Sequence, residues 1–104
     1  MPVSYIGASN LIATNGSAPT AITPNANTQV GDLLIAYHYG RATGTNESVS
    51  APAGQGWTQL FQQTISNRGN LAVFWKIRQV GDTTSTFTVS NYTSGANGET
   101  ILEW

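Results

Sequence analysis

The stretch QVGDLLIAYHYG, from Gln29 to Gly40, sets a glycine-aspartate corner ahead of a nearly unbroken apolar run, Leu33 to Tyr39. A run of this kind, bounded by Gly31 and Gly40, is the pattern of a central β-strand with the core on one face and more protein on the other. The same four residues open a second stretch, QVGDTTSTFTVS, from Gln79 to Ser90. A true repeat would match beyond the corner, but the first flank is apolar on both faces and the second is half hydroxyl. What the two share is turn chemistry. Gly31 and Gly81 can take the left-handed conformation, Val30 and Val80 can pack inward, and Asp32 and Asp82 can accept hydrogen bonds from the amides that follow. A duplicated acidic loop that holds a cation or a sugar is the alternative at this level.

Working outward, no long window carries apolar residues at helical spacing, and Gly, Pro, Asn and Ser interrupt the chain too often for a helix of more than a turn or two. Val3 to Ala8 reads as a first short strand, and Thr14 to Asn27, with Pro19 and Pro24, as a loop wrapped around an edge. A short strand fits around Glu47 to Ser50. WTQLFQQTI, starting at Trp57, has mixed faces and room for a bulge near Phe61. A compact turn, Asn67 to Asn70, joins it to LAVFWKIR, Leu71 to Arg78, making a hairpin. STFTVS, Ser85 to Ser90, shows one apolar and one hydroxyl face, and Thr100 to Trp104 closes the chain. The expectation is an all-β fold of about seven strands, an antiparallel two-sheet β-sandwich of jelly-roll or Ig-like type. Its expected core is Leu33, Ile35, Tyr37, Leu60, Leu71, Val73, Trp75, Ile77, Phe87 and Val89.

Composition limits the function. With 104 residues and 39% hydrophobic content, the chain suits one domain, 1–104, with a fragment of a longer chain as the alternative. Charged residues are 9%, against roughly a quarter in ordinary soluble proteins. Thr (14), Ser (9), Asn (9) and Gln (6) take their place, so the polar surface is neutral. The formal charge is -1, and Arg41, Arg68, Lys76 and Arg78 are scattered. That gives no electrostatic footprint for nucleic acid or for an anionic membrane. No cysteine is present, so neither disulfides nor thiolate metal sites contribute. MPVSYIGASN lacks the basic start and apolar run of a signal peptide, which reads as a soluble product starting at its own Met. The sequons at Asn15, Asn46 and Asn91 are what chance gives in a chain this rich in Asn, Ser and Thr.

The order VGDLLIAYHYG (Val30 to Gly40), APAGQGWTQL (Ala51 to Leu60) and LAVFWKIRQVGDTTSTFTVS (Leu71 to Ser90) resembles a β-sandwich module of tailed-phage and prophage virion structural proteins. The resemblance covers roughly Val30 to Trp104. It departs from the module at Pro52 to Trp57, where Gln55 and Gly56 separate Gly54 from Trp57. It implies a non-enzymatic protein on the exterior of a capsid or tail, of decoration or fibre type, made in the host cytoplasm and located in the virion. The partners it implies are other virion proteins and copies of the chain itself. A carbohydrate-binding or adhesive module, with a host surface glycan as partner, is the alternative.

Residues that could carry chemistry are sparse. His38 is the single histidine and sits in an apolar strand, where a hydrogen-bonded structural role is the commoner one. Without Cys or a second His it cannot build a nucleophilic triad or a His-rich metal site. The carboxylates Asp32, Glu47, Asp82, Glu99 and Glu103 lie far apart in sequence. No catalytic, cofactor-binding or metal-ligating residue is therefore expected, and no cofactor. The aromatic residues remain. Trp57 and Trp75 are assigned to the core, while Tyr37, Tyr39 and Trp104 are surface candidates for stacking or assembly. Ile101 joins them because ETILEW ends on an apolar strand that a neighbouring chain could cover.

Overall fold

A computed structural model describes residues 4–8, 12–14, 20–42, 48–65, 69–90 and 95–103. These form nine strands: β1 Gly7–Ala8, β2 Ile12–Thr14, β3 Thr20–Ile22, β4 Leu33–Ala42, β5 Ser48–Ser50, β6 Thr58–Ile65, β7 Gly69–Ile77, β8 Ser85–Ser90 and β9 Gly95–Glu103. Every pairing is antiparallel, in a six-stranded sheet of order β1-β9-β4-β7-β6, with β2 also on β9, and a three-stranded sheet of order β3-β8-β5. The expected two-sheet β-sandwich is what forms. The hairpin β6/β7 is present, and the bulge falls between Gln59 and Phe61.

The pairings are nested: β2 with β9, β3 with β8, β4 with β7. This is a ribbon doubled on itself and rolled up, and β4 pairing with β9 closes one turn of the roll onto the next. Such wrapping is a jelly roll. The innermost pair, β5 with β6, is completed by a side chain. The Val49 amide donates to Gln62 Oε1 at 2.7 Å, and Gln62 Nε2 donates to the Val49 carbonyl at 3.1 Å, so one carboxamide does for β5 what a neighbouring strand would do. Asn70 Nδ2 also donates to Gln62 Oε1 and to Thr64 Oγ1.

The segment expected to be a loop, Thr14 to Asn27, contains strand at both places where it is described. Thr14 ends β2, and Thr20–Ile22 is β3, paired with β8. Ile22 is fully buried, and a buried apolar residue in an extended chain beside an open strand makes a strand out of a stretch rich in turn formers. Before β1, residues 4–6 are outside any strand. Of the expected Asn67–Asn70 turn, Gly69 and Asn70 are already strand, paired with Ile65 and Thr64, while Asn67 and Arg68 lie outside the described residues, as does the side chain of Val89.

The core lies between the sheets, but the central strands present their other faces to it. Inward-facing on β4 are Leu34, Ala36 and His38, and on β7 Asn70, Ala72, Phe74 and Lys76. With Ile22, Val49, Ser85 and Phe87 from the small sheet and Thr28 from the loop before β4 they make up the buried set among the described residues. Of the expected core residues whose side chains are described, only Phe87 is fully buried. Leu33, Ile35, Tyr37 and Val73 are half-buried, and Leu60, Leu71, Trp75 and Ile77 are exposed. The expected register on β4 and β7 is thus wrong by one residue, which exchanges every side chain between faces. The cause is volume. Phe87 and Phe74 pack with ring centroids 5.1 Å apart, and Trp57 packs edge-on to Phe87 at 5.4 Å. With those rings and Ile22 filling the layer, alanines at 36 and 72 fit where Tyr37 or Trp75 would overpack it.

Candidate functional site

The two Gln-Val-Gly-Asp segments are the same corner built twice. In each, the Asp amide donates to the Gln carbonyl, at 3.1 Å for Asp32 and 3.2 Å for Asp82. Gly31 (φ 98°) and Gly81 (φ 84°) occupy the third position, the signature of a type II turn. The carboxylates accept from the amide of the Gln three residues earlier, at 2.6 Å in the first corner and 2.8 Å in the second, not from the amides that follow. Val30 and Val80 do not pack inward; they are 61% and 87% exposed at the turn tips. A valine in the second position of a turn that bulges from the sheet end has no core within reach. The corners lie side by side, joined by Gly31 N–H donating to the Arg78 carbonyl and Arg78 N–H to that of Asp32.

The second corner does one thing more. Lys76, facing inward on β7, is 3% exposed, and its ammonium lies 2.8 Å from Asp82 Oδ2 and 2.9 Å from Oδ1. It also donates to the Gln55 carbonyl and sits 5.6 Å from the centre of the Trp57 ring. Gln55 Oε1 accepts from Ser85 Oγ, which in turn accepts from Trp57 Nε1. Gly54 and Gly56 both take positive φ, and this bends Pro52 to Trp57 so that the Gln55 carbonyl reaches the ammonium. Burial pushes the Asp82 carboxyl up, but the Lys76 hydrogen bond, the Gln79 amide and the charges of Lys76 and Arg78 outweigh it and hold the group below the ordinary carboxylate range. The network is closed and points inward. His38 is likewise fully buried, out of reach of a substrate.

Among the described residues, an apolar surface open to another molecule is the outer face of β4, β7 and β6 in the six-stranded sheet. The ladder places Leu33 opposite Ile77, Ile35 opposite Trp75, Tyr37 opposite Val73 and Tyr39 opposite Leu71. On the next strand Phe61 pairs with Val73, Thr58 with Trp75 and Gln63 with Leu71. None of these outward residues is charged. Trp75 is 38% exposed, and Tyr39, Leu71, Ile77 and Phe61 are more exposed still. Tyr37 and Tyr39 stack side by side, ring centroids 6.2 Å apart and planes 26° apart.

Of the residues singled out from sequence, Tyr37 and Tyr39 therefore come together on this face. Ile101 is not in their rows: its partner on β4 is Ala36, whereas Tyr37 and Tyr39 are opposite Thr100 and Gly98. The side chain of Ile101, and Trp104 altogether, lie outside the described residues. Sequence reasoning missed Trp75, Leu71, Ile77 and Phe61 as surface residues, because bulk and apolarity argue for burial when each strand is considered alone. The signal that could have found them is Lys76. It alternates with Trp75, and a carboxylate six residues on, at Asp82, can take its charge into the interior and turn Trp75 outward. Compared with family models, curated proteins and solved structures, the chain returns no match.

Proposed function

We propose that this chain is a non-enzymatic structural protein of a tailed-phage virion, seated on the exterior of the capsid or tail, that works through protein-protein assembly. The observation that carries this reading is the uncharged apolar outer face of β4, β7 and β6 between the Leu33–Ile77 and Tyr39–Leu71 pairs, centred on Trp75. The largest contiguous apolar patch on a domain is often where its function lies. Its mixture of aromatic and aliphatic side chains, without Lys, Glu or Asp, is the composition of an interface core. The jelly-roll wrap agrees with the module that the sequence resembles, and capsid proteins are among the proteins built this way. The test is to purify particles from cells that make the chain, identify it among their proteins by mass spectrometry, and repeat with Trp75→Glu. Presence of the wild type together with loss of the folded variant supports the reading; absence of the wild type from particles overturns it.

The stacked Tyr37–Tyr39 pair favours the second reading, a carbohydrate-binding or adhesive module, since sugar rings stack on such platforms. The surrounding aliphatic side chains weigh against it, because a sugar face also needs hydrogen-bonding partners for its hydroxyls. Saturable quenching of tryptophan fluorescence by an oligosaccharide, abolished by Tyr39→Ala, would move the assignment to that reading.

A further inference from the structure

We infer that the partner on the outer face of the large sheet is the same face of a second copy of this chain, giving a two-fold dimer in which the two six-stranded sheets stack face to face. The inference rests on the assembly reading and names the partner that reading leaves open.

Charge is the first argument. A partner that brought a charged side chain onto this face would bury it without a counter-charge, which is costly. The face itself meets the requirement it sets, since no outward residue from Leu33–Ile77 at one end to Tyr39–Leu71 at the other is charged. A two-fold contact must be self-complementary, each residue meeting the same patch, and a neutral face satisfies that condition without any matching of signs. Shape is the second argument. Antiparallel sheets stack about 10 Å apart with their strands roughly 30° out of line. That spacing suits rows of large side chains that interdigitate, and here the rows alternate along β7 as Leu71, Val73, Trp75 and Ile77.

Area is the third. An aromatic side chain offers about 200 Å² in all, so Phe61 at 44%, Tyr39 at 41% and Trp75 at 38% exposure leave on the order of 250 Å² uncovered between them. Leu71 and Ile77, also exposed, bring the apolar centre to roughly 400 Å². A polar rim of Thr58 and Gln63, with the half-buried Leu33, Ile35, Tyr37 and Val73, then takes the contact toward about 600 Å² per partner, the low end of specific interfaces. The aliphatic residues among the rings are what a packed protein contact uses, and the outermost, Leu71 and Ile77, set the contact along β7 from its third residue to its end.

The experiment uses the full chain. Light scattering or sedimentation over a wide concentration range is expected to show a mass rising from 11.0 kDa toward twice that value. Trp75→Glu, folded by circular dichroism, is expected to shift the midpoint by about 30-fold or more; Ile77→Lys replaces it if Trp75→Glu does not fold. Val73 lies in a central row, so Val73→Lys and Val73→Glu should each be monomeric alone and should recover the doubled mass when mixed, a result only a face that meets itself can give. A wild type that stays at single-chain mass throughout overturns the inference, as does a dimer that Trp75→Glu and Ile77→Lys leave intact. If the wild type is monomeric but Trp75→Glu is lost from particles, the second copy is wrong and another virion protein covers the face. If Trp75→Glu enters particles like the wild type, the assembly reading of this face fails as well. Saturable binding of an oligosaccharide by a monomeric wild type, lost in Trp75→Glu, overturns both.

Discussion

Lys76 and Asp82 form an ion pair at 2.8 Å inside the rim of the sandwich, with the lysine 3% and the aspartate 17% exposed. The pair ties the end of β7 to the corner that launches β8, and Trp57 closes over it. A buried ion pair of this kind gives little net stability over an apolar replacement, but losing one member leaves a charge with no partner. Asp82→Asn is therefore expected to destabilise the fold by roughly 3 kcal/mol, the low end for an uncompensated buried charge, measured by urea denaturation. The double variant Lys76→Met with Asp82→Asn should regain most of that loss. If the two variants are equally unstable, the pair is not what holds the corner.

The same pair sets a pH dependence. The folded Asp82 carboxyl is held below its ordinary value, so the unfolded chain binds the proton first as pH falls, and stability decreases with acidity. The contribution is fully present above the ordinary carboxylate range and is lost as pH drops through the lowered folded value. Thermal midpoints measured from neutral pH down to about pH 2, spanning the carboxylate range, should fall more steeply for the wild type than for Asp82→Asn, whose corner carries no titrating group.

The inverted faces of β7 separate two neighbouring aromatic residues. Phe74 is 3% exposed and packs on Phe87, while Trp75 faces outward. Phe74→Ala is expected to cost about 3–5 kcal/mol, as for a large core truncation, and Trp75→Ala about 1 kcal/mol or less in the dissociated monomer. Guanidinium unfolding at low protein concentration checks both. The reverse order of effects would restore the opposite register.

Gln62 stands in for a strand at Val49. Gln62→Leu removes both hydrogen bonds to the Val49 backbone, and leaving those groups unsatisfied should cost about 1–3 kcal/mol. Amide exchange at Val49 should become faster, by more than the change in global stability explains. Unchanged exchange there would mean that β5 is held by β8 alone.

Gly31 and Gly81 both take positive φ, with open space where a Cβ would stand. Alanine at either position meets no clash and should cost only the backbone term, about 1–2 kcal/mol. Near-equal losses for Gly31→Ala and Gly81→Ala in thermal melts are the mark of one corner built twice.

Local patterns, read without the tertiary structure, determined the class of fold. Leu33 to Tyr39 is too apolar and too tightly bounded by glycine to be other than a central strand, the Val-Gly-Asp corners carry their turn chemistry within four residues, and the bulge at Phe61 shows in the broken alternation of WTQLFQQTI. These signals are local because a turn or a strand period is decided by residues that touch along the chain. Thr20–Ile22 was missed because its strand character comes from β8, more than sixty residues away in sequence.

Which face of β4 and β7 turns inward could be decided only by the tertiary structure. Both strands offer two plausible faces, one of Leu33, Ile35, Val73 and Trp75, the other of Leu34, Ala36, Ala72 and Phe74. Taken alone, the bulkier face is the better candidate for burial. The choice was made across the sandwich, where Ile22, Phe87 and Trp57 fill the layer until alanine is what fits opposite, and where Asp82 supplies the counter-charge that lets Lys76 come inside. Packing volume and charge pairing are properties of residues brought together by the roll, so strand periodicity cannot report them.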